Sequence, residues 1–183
     1  ALSNGLGRAP EEVFSSFEPQ AFAAASLGQV HRAVDLKGRS LALKIQYPGI
    51  GKTIQSDVRM LKNLFRPFPE YRLALPVIEE LEARFLEETD YLLEASNIAF
   101  FRKNLALDEV NIPGIREELC SRRLLCLSFV EGAPLNQWLK TNPSQEQRDR
   151  TARILNDIFL KSLYELHCIH ADPNPGNFII GPD

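Results

Sequence analysis

Near the C-terminal end, His170, Asp172 and Asn177 form the pattern H-x-D-x-x-x-x-N within HADPNPGNFII, where two prolines and a glycine stiffen the backbone. This spacing lets one loop present a carboxylate to an acceptor hydroxyl and an amide oxygen to a metal ion bridging nucleotide phosphates. Phosphoryl transfer needs positioning and charge neutralisation more than covalent chemistry, so stiff presentation of these groups suits it. The competing reading is a plain turn, since Asp-Pro and Asn-Pro-Gly are good turn formers.

Three more groups bear on the same chemistry. Lys44 in ALKIQYPG lies on the strand face opposite Leu41, Leu43 and Ile45, so it points at whatever that strand covers; otherwise it is a solvated Lys on an edge strand. In AFAAASLGQVHRA a loop is expected, but Ala23, Ala24, Ala25 and Ser26 stand where a phosphate-covering loop normally has glycines, and only Gly28 remains. The extra methyl groups restrict φ and alter the grip on phosphates; a small-residue core turn is the alternative. Asp90 and Glu94 are i, i+4 on an expected helix, where like charges repel unless a cation sits opposite. With Glu88 and Glu87 they read either as a partner for Lys44 or as a solvated acidic face.

These residues need elements to hold them. GQVHRAVDL, a turn at Lys37-Gly38-Arg39 and SLALKIQY read as a hairpin within residues 21–47, ended by Pro48-Gly49. A helix is expected at 53–65, a proline-marked connection at RPFPEYRLALP, and one helix over 77–105 through Ile78, Leu81, Phe85, Leu92 and Ala95. A strand at 123–130 and a turn at Glu131-Gly132 follow. Ser144 and Gln147 then have capping-box spacing at the start of a helix to His167, with Ala152, Leu155, Ile158, Phe159 and Leu163 as its buried stripe. The last element is a short apolar strand. This order reads as α+β with two lobes joined near 129–134.

In 183 residues there are 21 Lys plus Arg against 24 Asp plus Glu, a net charge of -3. The basic residues are scattered, as at Arg122-Arg123, which argues against nucleic-acid binding. No apolar run suits a bilayer span. Cys120, Cys126 and Cys168 form no CxxC pair and read as reduced, mostly buried thiols of an intracellular protein. The first residue is Ala, which suggests a fragment or processed chain.

Five stretches together resemble the UbiB family of atypical protein-kinase-like proteins: AAASLGQVHRA (23–33), ALKIQYPGI (42–50), EETDYLLEASN (87–97), LSFVEGAPL (127–135) and HADPNPGNFII (170–180). The likeness covers about residues 10–181. Aminoglycoside- and choline-type small-molecule kinases share the H-x-D-x-x-x-x-N loop but lack the Ala-rich stretch followed by Gly-Gln-Val-His.

The resemblance implies a protein-kinase-like bilobal fold, with an N-lobe at about 21–130 carrying a helical insertion and the start of a C-lobe at about 131–183. It implies that Ala23–Gly28 cover ATP and that Lys44 contacts its phosphates. Glu94, fifty positions later, would be the partner of Lys44 across the insertion. Glu88 and Asp90 match the family's E-x-D motif, and Gln29 belongs to its Ala-rich motif. Phe129, Val130 and Glu131 match the hinge that holds adenine, Asp172 the catalytic Asp, and Asn177 a Mg ligand. The family's K-x-G-Q helix is expected upstream of Ala1 and its D-F-G after Ile180. The chain as given reads as truncated before D-F-G, so it is expected to bind nucleotide weakly and to transfer no phosphate.

The function implied is an ATP-dependent kinase or ATPase supporting isoprenoid-quinone (ubiquinone) biosynthesis. Its partners would be isoprenoid lipid or quinone intermediates and quinone-biosynthesis proteins. It would meet a membrane surface only through parts outside this chain, and would lie in the bacterial cytoplasm or at the inner-membrane periphery, or in a mitochondrion or plastid. The alternatives are a non-catalytic lipid-binding or scaffold pseudokinase and a small-molecule phosphotransferase of aminoglycoside-kinase type.

Overall fold

The computed structural model describes residues 6–7, 9–169 and 173–182. Its fold is α+β. The chain divides into two compact units, Ala1–Asn97 with Ile115–Ser128, and Ile98–Gly114 with Phe129–Asp183.

The first unit is built on an antiparallel sheet of β1 (Phe14–Phe17), β2 (Ala23–Ala25), β3 (Gly28–Asp35), β4 (Ser40–Gln46) and β5 (Leu124–Ser128). Its path runs β1-β3-β4-β5, with β2 also on β3, so β4 lies inside the sheet rather than at an edge. The β3–β4 hairpin closes at Gly38, whose φ of 77° suits glycine. There the Asp35 carboxylate accepts from the amides of Lys37 and Arg39, each at 2.9 Å, and from Arg39 Nε at 2.6 Å. The period-2 pattern of β4 puts Leu41, Leu43 and Ile45 into a core with Val13, Phe14, Ala33, Leu119, Leu124 and Cys126. Burying each such leucine contributes about 1.5–3 kcal/mol.

Two expectations about the helices need correction. α1 (Ile50–Phe65) is followed by α2 (Tyr71–Glu87), which absorbs most of the stretch expected as a connection and carries Pro76 in its interior. Pro76 cannot donate to the carbonyl of Arg72, and Arg72 is exposed, so that carbonyl can turn to water. Lys62 of α1 meets Glu82 of α2 at 2.8 Å, and this hydrogen bond holds the Lys62 ammonium above its ordinary pKa. The single helix expected over 77–105 is two, because the chain breaks at residues 88–90 before α3 (Tyr91–Asn104) begins. Asp90 starts the new helix, its Oδ1 accepting from the Leu92 amide at 3.0 Å.

In the second unit, β6 (Ala133–Pro134) pairs with β7 (Ile179–Ile180), and α4 (Leu135–Trp138) follows β6 directly. Gly132 has φ 144°, and a Cβ there would lie 2.8 Å from an Ile179 methyl and run into the Ile180 carbonyl. α5 (Gln145–Tyr164) opens with the expected capping box: Gln147 N donates to Ser144 Oγ at 3.2 Å, and Ser144 N donates to Gln147 Oε1 at 2.9 Å. The stripe expected to be buried is covered only in part: Leu155 and Ile158 are half-buried, while Ala152 is exposed and Phe159 and Leu163 are 51% and 37% exposed. Cys168 is likewise exposed, while Cys120 is half-buried and Cys126 buried.

Candidate functional site

In the first unit, the register that sends Leu43 and Ile45 into the core turns Lys44 to the opposite face, where it pairs with Leu125 on β5 and Val30 on β3. Its ammonium lies 2.9 and 2.7 Å from the two oxygens of Glu94, one turn into α3. The pair is partly solvated, with side-chain exposures of 25% for Lys44 and 37% for Glu94. The Lys44 ammonium also sits 4.8 Å from the centre of the Tyr91 ring.

Tyr91 is 1% exposed, and its hydroxyl is buried without a hydrogen-bond partner among the described residues. Burial, reinforced by the Glu94 charge, pushes that hydroxyl's pKa well above the ordinary tyrosine range. Directly over it is Gly28. A Cβ at Gly28 would lie 2.7 Å from the Tyr91 hydroxyl and collide with the Ile45 carbonyl.

The stretch expected as an Ala-rich loop is instead a strand and a tight turn. Ala23 pairs with Val30, Ala24 with Gln29 and Ala25 with Gly28, leaving Ser26 and Leu27 as the two-residue connection. The Leu27 carbonyl accepts from the Tyr47 amide at 3.1 Å, which ties this hairpin to the end of β4. Ala23, Ala24 and Ser26 are exposed. Gln29 pairs in register with Ile45, so it lies on the other face of the sheet from Lys44; its Oε1 is 3.2 Å from His31 Nε2.

The break before α3 fixes where Glu94 falls. Gln46 Nε2 donates to the Thr89 carbonyl at 2.7 Å, and the Tyr91 amide donates to the Arg122 carbonyl at 3.2 Å. The start of α3 is thus fastened to the sheet on both sides. Asp90 and Glu94 do not crowd as like charges on one helix face. Asp90 caps the helix and its Oδ2 is 3.5 Å from Arg122 Nε, while Glu94 takes Lys44. Glu88 is exposed at the end of α2, with no ion pair among the described residues. Tyr91 and Gln46 escaped the sequence reading. An Asp directly before an apolar run was the available sign of a helix start, but nothing local marks either side chain as a contact of Lys44 or of the break.

In the second unit, Phe129 and Val130 are half-buried and Glu131 exposed, just before Gly132. Asn177 ends a short 3-10 turn, Pro175–Asn177, in which Asn174 Oδ1 accepts from the Gly176 amide and the Asn174 carbonyl from the Asn177 amide, both at 2.9 Å. His170 and Asp172 lie outside the described residues. Among those described, no three His, Cys, Asp or Glu side chains group as metal ligands. Asn177 offers one neutral oxygen, a donor set too small to hold Mg2+ without carboxylate or phosphate partners.

Comparison with known proteins places these features in context. The profile of the ABC1 atypical kinase-like domain matches residues 1–183. Atypical kinase COQ8B, mitochondrial, of Rattus norvegicus is 37% identical over 97% of this chain and 34% of its own length. Protein ACTIVITY OF BC1 COMPLEX KINASE 3, chloroplastic, of Arabidopsis thaliana is 34% identical over 94% of this chain and 25% of its own length. The chain therefore spans about a third or less of these relatives. A solved structure described as the complex of Rv3197 with erythromycin, from Mycobacterium tuberculosis, superposes with a TM-score of 0.83 at 29% identity, covering 99% of this chain and 47% of that one.

Proposed function

This chain belongs to the ABC1 (UbiB) atypical kinase-like family, and from that premise we propose that it is the nucleotide-handling part of a kinase or ATPase acting in isoprenoid-quinone biosynthesis. The observation that carries this reading is the Lys44–Glu94 pair, which joins residues 50 positions apart in the geometry that protein kinases use to set a lysine on nucleotide phosphates. In this reading Ala23–Gly28 cover the nucleotide, Lys44 neutralises phosphate charge and Glu94 orients Lys44. Phe129, Val130 and Glu131 offer backbone groups to adenine, and Asp172 takes the proton of the acceptor hydroxyl or orients water. Asn177 supplies an oxygen to Mg2+, whose role when bound is to neutralise charge on the transferring phosphate. The N-lobe is then about 21–130 and the C-lobe begins at about 131. Isoprenoid lipid or quinone intermediates and quinone-biosynthesis proteins are its partners, at a mitochondrial, plastid or bacterial inner-membrane surface.

The test is titration of the full protein with MgATP by calorimetry or thermal shift, beside Lys44→Ala and Glu94→Gln. Loss of about tenfold or more in affinity in both variants, with the fold intact by circular dichroism, is the expected result. A lipid-bound scaffold predicts no nucleotide effect in any of the three and co-purification of lipid. Saturable phosphorylation of a soluble alcohol would instead favour the aminoglycoside-kinase type.

A further inference from the structure

We propose that Tyr91 is a positioning residue that sets the Lys44 ammonium and the small-residue hairpin against each other. The nucleotide part of this inference rests on the reading given above. Three observations converge on the one side chain. Its ring lies beneath the Lys44 ammonium at 4.8 Å, and Glu94, three residues further along the first turn of α3, holds the same ammonium at 2.7 Å. Its hydroxyl end lies under Gly28, where a Cβ would approach to 2.7 Å. Finally, that hydroxyl is buried with no partner among the described residues, an arrangement that disfavours folding relative to phenylalanine at the same place.

The physics divides the side chain into two parts. The aromatic face is attractive to an ammonium and cannot be replaced by an aliphatic group of similar bulk. Together with the Glu94 carboxylate it gives the Lys44 ammonium two attractive contacts that favour one position. The far end of the ring is a floor for the turn at Gly28, so how closely that turn approaches the start of α3 is set by the length of an aromatic side chain and by the absence of a Cβ at residue 28. Among the described residues the hydroxyl makes no hydrogen bond. Tyr91 thus acts through Lys44 and Gly28 rather than by touching phosphate.

The experiment compares Tyr91→Phe and Tyr91→Leu in the full protein, with two readouts. The first is the rate at which an activated ester acylates Lys44, followed by peptide mass spectrometry. The second is MgATP affinity and, where turnover is measurable, the division of its loss between KM and kcat. Leucine removes the ring face, so Lys44 should acylate several-fold faster and MgATP should bind about five- to tenfold more weakly. Phenylalanine should rescue both. Equal Lys44 reactivity in the wild type, Phe and Leu proteins would overturn the proposal, as would a Phe variant as impaired as Leu. If Tyr91→Leu does not fold, the proposal is judged on Tyr91→Met, which keeps bulk and flexibility without a ring. If the wild type binds no nucleotide, the functional reading fails, while the acylation rates still decide the role of Tyr91.

Discussion

Asp35 illustrates how one side chain holds a turn. Two backbone amides and the Arg39 guanidinium converge on its carboxylate, and chiefly the Arg39 amide lowers its pKa below the ordinary 3.8. A depressed carboxylate contributes stability above its unfolded pKa and loses it as the pH falls through the folded value. The wild type should therefore lose stability below about pH 3.8 more steeply than Asp35→Ala, as read by circular dichroism melts; parallel acid profiles would deny Asp35 this role. The thiols differ in the same residue-level way. Burial pushes Cys126 from the ordinary 9.0 up to about 12, so it carries roughly a thousandfold less thiolate at neutral pH. Cys168 is exposed, and native alkylation should modify it first and leave Cys126 unmodified until unfolding. Gly132→Ala should lower stability by roughly 1–3 kcal/mol, because its φ is one that side chains rarely adopt and the β7 backbone already fills the Cβ position.

At the scale of elements, the most local features were the most legible. The Ser144–Gln147 box predicts the start of α5 to the residue, and Ser144→Ala should cost about 0.5–2 kcal/mol in chemical denaturation. The β3–β4 hairpin was likewise readable, since strict alternation about a Gly-containing turn leaves one register that buries Leu41, Leu43 and Ile45. What was not legible depends on partners distant in sequence. Pro76 reads as a helix end until Ile78 and the Lys62–Glu82 contact show α2 held against α1. The break at 88–90 is set by Gln46, forty-three positions away, as much as by Asp90. The Ala-rich stretch became a strand because its backbone pairs with β3, a choice that alanine itself does not encode. Glu94 as partner of Lys44 came only through the family likeness, since a 50-residue separation carries no periodic signal.

For the whole molecule, each unit carries its own candidate residues: Lys44, Glu94, Tyr91 and the β2–β3 hairpin in one, and Glu131, Gly132 and Asn177 in the other. No helix among the described residues is long and apolar enough to cross a membrane. The position of β4 has a further consequence. Like β3 it is flanked on both sides, in its case by β3 and β5, whereas β2 pairs on one side only. In hydrogen–deuterium exchange, the amides of Ala42 to Ile45 should then open only with global unfolding, while those of Ala23 to Ala25 should exchange through local fluctuations. The proposed phosphate lysine would ride on a slowly exchanging strand of the unit, while the small-residue strand β2 opens without it.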